Sequence, residues 1–238
     1  MIEVRGLTKH YGPFAAVQNL DFTIHTGEVV AFLGPNGAGK STTMKMLTGY
    51  LTPTSGSVHV AGHDMTRDRI AAAHKIGYLP ENGPLYPDMT PREFLAFFAE
   101  ARGLQSSAFE GRLRAVTEDC SLQEVLDKPI GRLSKGYRQR VGMAQVLLHE
   151  PEVLIMDEPT TGLDPNQILH VRDNIRGLGE TRTILLSTHL LQEVEAVAGR
   201  AIVINDGKLV FDGSPADLRK SGDGNLDQAF HTLTGASS

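Results

Sequence analysis

A chain of 238 residues, 40% hydrophobic and 21% charged, has an ordinary globular balance and the length for one substantial domain or two small ones. Its formal net charge of -5 gives no overall basic field, so a role built on attraction to nucleic-acid phosphates has no compositional support. Cys120 is the only cysteine, which excludes an intramolecular disulfide and a cysteine-based zinc cluster; it reads as a small buried thiol in a reducing compartment.

The first residues, Met1 to Arg5, lack the basic-then-apolar pattern of a secretion signal, and no export of this chain is expected. No apolar run reaches the ~18 residues that a spanning helix needs. A role in moving something across a membrane would require another chain to supply the pore.

Ile2-Glu3-Val4 and Val17 to Ile24 alternate apolar and polar residues around the Tyr11-Gly12-Pro13 punctuation, and with Val58-His59-Val60 they predict a small antiparallel sheet. Val29 to Leu33 is a continuous apolar run and reads as a buried strand, followed by a glycine-rich loop and a helix over Thr42 to Leu47. Thr90-Pro91-Arg92-Glu93 has the form of an N-cap, an N1 proline and an acidic first turn. It opens a helical stretch that breaks near Gly103 and runs to about Leu126, with Phe94, Phe97 and Phe98 expected in the core.

Further on, a helix over Val141 to His149 leads to the strand Val153 to Met156, a helix near Ile168 to Leu178, and the strand Thr183 to Ser187. Apolar strands alternating with helices predict an α/β fold with a mostly parallel sheet. Ala201 to Ile204 and Lys208 to Phe211 flank Asn205-Asp206-Gly207, a hairpin signal with a type I′ turn. The tail after Gly213 reads as short and polar. No repeat or linker is evident, so the helical stretch is expected to be a subdomain.

Gly34-Pro35-Asn36-Gly37-Ala38-Gly39-Lys40-Ser41-Thr42 fits G-x-x-x-x-G-K-[ST] between a strand and a helix, the context that gives this motif meaning. Glycines allow successive N–H groups to turn inward as a nest, and the helix N-terminus adds its dipole, so the segment predicts an anion cradle for a nucleotide β-phosphate. Lys40 would reach the β- and γ-phosphates and Ser41 would reach Mg²⁺. Asp157 and Glu158 follow four apolar residues at the C-terminal edge of a strand, where ligands of open α/β sheets bind. Asp157 is expected to serve Mg²⁺, and Glu158 to orient or deprotonate the attacking water. A solvated strand end would explain two adjacent acids taken alone.

A phosphate cradle leaves many enzymes open. Leu133-Ser134-Lys135-Gly136-Tyr137-Arg138-Gln139-Arg140 stands just upstream of the Asp157 strand, and Asp157-Glu158-Pro159-Thr160, Gly162-Leu163-Asp164 and Ser187-Thr188-His189 follow in order. This ordered set resembles the ABC ATPase family, and the likeness runs from Tyr11 to about Phe211. The resemblance implies a P-loop NTPase fold of ABC type across residues 1–238. Segments 1–80 and 150–215 would form the nucleotide-binding core with its antiparallel β subdomain, 88–149 a helical subdomain, and 216–238 a short tail.

The resemblance also implies ATP hydrolysis with ATP and Mg²⁺ as cofactors. Two copies, identical or related, would face head to tail and drive a transmembrane permease from the cytoplasmic face of the cell membrane. Each ATP would lie between the P-loop of one copy and Ser134 and Gly136 of the other. Asp164 would join the subunits, His189 would touch the γ-phosphate, and Tyr11 would stack on adenine with Val17 beside it. Along the P-loop, Asn36 to Thr42 would hold the phosphates.

Three positions depart from the usual pattern: Lys135 for glycine and Tyr137 for glutamine in the Leu-Ser-Gly-Gly-Gln signature, and Glu81 for a glutamine that helps hold Mg²⁺ and water. Together with Tyr137 to Arg140 they resemble the ATPases of ABC-2-type exporters. An importer subunit is the alternative within transport. A soluble relative acting on nucleic acid or ribosomes would carry coiled-coil or zinc insertions or a second cassette, so no nucleic-acid partner is expected.

Overall fold

The computed structural model describes residues 1–235. In chain order the first elements are β1 (Ile2–Tyr11), β2 (Phe14–Ile24), β3 (Val29–Leu33), α1 (Lys40–Leu47), β4 (Ser55–Val60), β5 (His63–Asp64), α2 (Arg69–Lys75) and β6 (Ile76–Leu79). The helical region follows with α3 (Pro91–Ala101), α4 (Ser106–Asp119) and α5 (Lys135–Leu147). Next come β7 (Val153–Asp157), α6 (Pro165–Gly179), β8 (Thr183–Thr188), α7 (Leu191–Val197), β9 (Arg200–Asn205), β10 (Lys208–Gly213), α8 (Pro215–Lys220) and α9 (Leu226–Thr234).

Strands β2-β1-β4-β5 form a four-stranded antiparallel sheet, and β10-β9-β3-β8-β7-β6 form a six-stranded sheet that is parallel except for the β9–β10 hairpin. The apolar run Val29–Leu33 is why β3 sits in the middle, where both faces are buried. In register, Leu33 pairs with Thr188 and Asp157 with Ser187, so the loops leaving β3, β7 and β8 emerge at one sheet edge. That alignment creates the site.

One core cluster lies around β3 and α1 against the antiparallel sheet, with Phe22, Phe32, Met44 and Leu47 fully or nearly buried. A second fills the space beneath α3, α4 and α5. Cys120 belongs to it, and burial pushes its thiol up to about 12, which keeps it protonated and unreactive at neutral pH. The α3 start carries the expected capping box, with Thr90 and Glu93 bonding each other's backbone N–H and Pro91 in the first turn. At the β9–β10 turn, Asp206 (φ 47°) and Gly207 (φ 75°) are both left-handed, as a type I′ turn requires.

Four expectations are corrected, and one strand carries no sequence signal. Phe97 is not in the core: the helical period turns it off the α3 face that buries Phe94, Leu95 and Ala99, and it stands exposed. The tail after Gly213 is not merely polar: Ser214 caps α8, Asn225 caps α9, and Leu218, Leu226 and Ala229 are buried against β3 and β9 residues in a third cluster. Burying a leucine side chain contributes about 1.5–3 kcal/mol, enough to hold two short helices in place. Helix α5 begins at Lys135, six residues ahead of Val141, because Ser134 accepts a hydrogen bond from Tyr137 N and caps it there. The helical stretch expected to reach Leu126 ends at Asp119. Finally, β6 was not foreseen: it is four residues long and contains Gly77, where a side chain would collide with Val146, Leu154 and Pro151.

Candidate functional site

A cavity of about 460 Å³ opens at the C-terminal edge of the parallel sheet, lined by Asn36, Gly37, Gly39, Lys40, Ser41 and Thr42. Glu81, Glu158, Thr161 and His189 line it as well, together with Tyr11, Phe14 and Ala16 of the antiparallel sheet. Gly37 (φ 83°) and Gly39 (φ 103°) hold the left-handed backbone that curls the loop, and a Cβ on Gly39 would strike the Ala16 carbonyl at 2.5 Å. Only glycine fits there.

Lys40, 6% exposed, donates to the carbonyls of Gly34 at 2.7 Å and Pro35 at 3.3 Å, so its ammonium is held inside the curl. It also lies 3.4 Å from Glu158 Oε1. Ser41 Oγ is 3.4 Å from Asp157 Oδ1, and Ser187 Oγ donates to the same oxygen at 2.5 Å. Asp157 itself is buried, with Ser41 between it and the cavity.

Glu158 has φ 50°, a left-handed conformation that costs a residue with a side chain about 1–2 kcal/mol. Its N–H is tied to the Ser187 hydroxyl at 3.0 Å and carbonyl at 3.2 Å. The turn directs the carboxylate back over the P-loop, where Oε1 faces Lys40 and Oε2 accepts from His189 Nδ1 at 2.8 Å and Thr161 Oγ1 at 3.4 Å. A carboxylate only accepts when ionised, so His189 carries a proton on Nδ1 in this arrangement.

The sequence-expected residues divide into groups. Tyr11, Asn36, Gly37, Gly39, Lys40, Ser41, Thr42, Glu81, Glu158 and His189 share the cavity wall. Ala38 is buried beneath the loop, its carbonyl accepting from Gly207 N at 3.0 Å. Val17 is fully buried under the Gly39 turn, and Ala16 lines the cavity in its place, because the side-chain alternation of β2 turns Val17 inward. Ser134, Gly136 and Asp164 lie outside the cavity lining. Ser134 and Asp164 cap α5 and α6, and a Cβ at Gly136 would meet the Gln167 side chain at 2.5 Å, so the two helix starts pack closely in this chain.

Phe14 was missed. It is exposed where it lines the cavity and pairs across the β1–β2 turn with Tyr11, whose ring lies 5.5 Å from Lys9 Nζ. The two-residue Gly12-Pro13 turn was the available signal, since it sets positions 11 and 14 opposite each other.

A strand-loop-helix phosphate cradle with a lysine, a strand-end acid pair and a histidine in one cavity calls for comparison with known proteins. The family model described as ABC transporter matches residues 17–161. The chain belongs to the ABC transporter ATP-binding family. An ABC transporter ATP-binding protein of Bacillus subtilis, YxlF, is 38% identical over 92% of this chain and 73% of its own length. The Nod factor export ATP-binding protein I of Burkholderia lata is 36% identical, with coverage of 92% and 73%. Among solved structures, an ATP binding subunit of an ABC transporter superposes with a TM-score of 0.88 at 30% identity, covering 98% of this chain and 99% of the other. Membership makes this ABC cassette an ATP-binding protein and an ATPase, and no described helix is long and apolar enough to cross a membrane.

Proposed function

We propose that this cassette is the ATP-hydrolysing subunit of an ABC exporter, working in a pair beneath a membrane permease. The observation that carries the catalytic part is the placement of Glu158 between Lys40 and His189, 3.4 Å from the first and 2.8 Å from the second. The Lys40 ammonium lies within ion-pair distance of Glu158 Oε1. Lys40 would hold the γ-phosphate of a bound nucleotide, and Glu158 Oε1 would accept a proton from water while His189 keeps Oε2 oriented.

Ser41 Oγ and Asp157 Oδ1 are hard oxygen donors at adjacent positions, and Mg²⁺ suits such a site because it keeps phosphate and water ligands beside one or two protein oxygens. The ion would neutralise charge on the phosphate oxygens. Glu81 faces the same cavity and would add a carboxylate oxygen there. Ser134, exposed at the start of α5, and the N–H of Gly136, which is buried there against Gln167, would meet the nucleotide of a second copy, with Asp164 at the same seam. Tyr11 and Phe14 offer an aromatic pair to the base.

Export is favoured by the Nod factor export relative and by the Lys135 and Tyr137 departures. A permease contact is favoured by Tyr86, which stays exposed while its ring lies edge-on to Phe94 and Phe97, each at 5.9 Å. The test is co-expression with a candidate permease and reconstitution in vesicles. ATP-driven cargo movement away from the cassette side supports the exporter, and movement toward that side overturns it.

A further inference from the structure

Glu193 is buried to 1% exposure in the first turn of α7, beyond the cavity wall and without a cationic partner among the described residues. A buried carboxylate is costly unless its oxygens are satisfied, so its partners indicate what it is for. Oε1 accepts from the Thr160 hydroxyl and Oε2 from the Thr188 hydroxyl at 2.6 Å. Thr160 lies two residues beyond Glu158, and Thr188 immediately precedes His189. The Thr188 hydroxyl also accepts from Leu190 N at 3.0 Å, so His189 is bracketed on both sides by bonded residues.

The loop after β7 is held at three consecutive residues. Glu158 N bonds Ser187, the Pro159 carbonyl accepts from Gln139 Nε2 at 2.8 Å, and Thr160 bonds Glu193. We infer that Glu193 is a positioning residue that clamps the Glu158–Thr161 loop to the Thr188–His189 loop, so that the Glu158–His189 contact is set by a fixed frame behind it. The inference rests on Glu158 and His189 being the reacting pair. A leucine could fill the same space but could join neither hydroxyl, whereas the two carboxylate oxygens accept from both at once.

The test compares Glu193→Gln, Thr160→Val, Thr160→Ser and the Glu193→Gln/Thr160→Val double variant of the full chain, reading kcat, KM for ATP and melting temperature. Glu193→Gln replaces one acceptor oxygen by an NH2 donor, so one threonine hydroxyl must turn from donor to acceptor, and Thr160→Val removes one arm of the clamp. Each is expected to lower kcat about tenfold with KM within about twofold and little change in melting temperature, or ~1.4 kcal/mol in the chemical step. The double variant should be no slower than either single, and Thr160→Ser should restore the rate. If Glu193→Gln does not fold, the valine and serine variants at Thr160 make the same comparison. Unchanged kcat, additive losses, or losses that track melting temperature overturn the clamp. Glu158→Gln measured alongside separates the two failures: an inactive Glu158→Gln with a normal Glu193→Gln rejects the clamp alone, whereas an active Glu158→Gln rejects the reacting pair and the clamp together.

Discussion

His189 Nδ1 donates to Glu158 Oε2 at 2.8 Å, joining the ends of two neighbouring parallel strands directly over the phosphate loop. The bond orients a carboxylate whose other oxygen faces Lys40. Replacing His189 by alanine removes that orientation and leaves the cradle intact. Turnover should fall about 100-fold while ATP affinity changes by less than about threefold, which steady-state kinetics and nucleotide titration will separate.

Glu81 lines the cavity, is solvent-exposed, and stands where a neutral amide is usual in the family. Its charge repels phosphate and attracts a metal, so its effect depends on whether the metal is present. Glu81→Gln should tighten ATP binding more without Mg²⁺ than with it and keep hydrolysis within about tenfold, or ~1.4 kcal/mol. Glu81→Ala should be more damaging, because it removes the oxygen as well as the charge. Affinity and turnover for both variants, with and without Mg²⁺, decide the matter.

In the loop ahead of α3, Leu85 and Met89 pack on the helical core, whereas Tyr86 remains 43% exposed and Phe97 beside it 45%. Tyr86→Asp gives up its edge contacts with Phe94 and Phe97, worth about 0.5–1.5 kcal/mol each, so it should cost the isolated chain about 1–3 kcal/mol without unfolding it while abolishing capture of the permease. Melting curves and co-purification test both halves.

His149 Nε2 bonds the Ile76 carbonyl at 3.0 Å, and burial, aided by Arg102, pushes the ring's pKa down to about 4. Unfolding exposes it to protonation at ~6.5. The unfolded chain then binds the extra proton between those values, so His149 contributes stability above pH ~6.5 that is lost as pH falls toward 4. The loss is at most about 3 kcal/mol by linkage, reduced by the ring's partial contact with water. Glutamine at this position should flatten denaturant-measured stability between pH 7 and 4.

Much of this molecule was legible in its residues, because strong local signals agreed with the tertiary structure. The Val29–Leu33 run, the glycine turns and the Asp157–Glu158 strand end each mark a backbone that can hardly do otherwise. Strand β6 was hidden because four residues with a glycine among them become a strand only through β7 on one side and the α5 packing that Gly77 permits. The helix start at Ser134 follows from the family resemblance rather than from periodicity, because Gly136 is a poor helix former whose place is explained by Gln167. Glu193 reads as an ordinary first-turn acid until the structure brings Thr160 and Thr188 to it from separate loops.

The central claim, that Glu158 activates water while Lys40, Ser41 and Asp157 hold the nucleotide, is tested most directly by Glu158→Gln. The amide keeps the shape but has one acceptor oxygen in place of two and is a far weaker base, so hydrolysis should fall by at least about 100-fold, or ~2.7 kcal/mol, with ATP affinity retained. An ATP-stabilised dimer should then accumulate on size exclusion in the presence of Mg²⁺. Turnover within about twofold of the unaltered protein, with no dimer accumulating, would contradict the account.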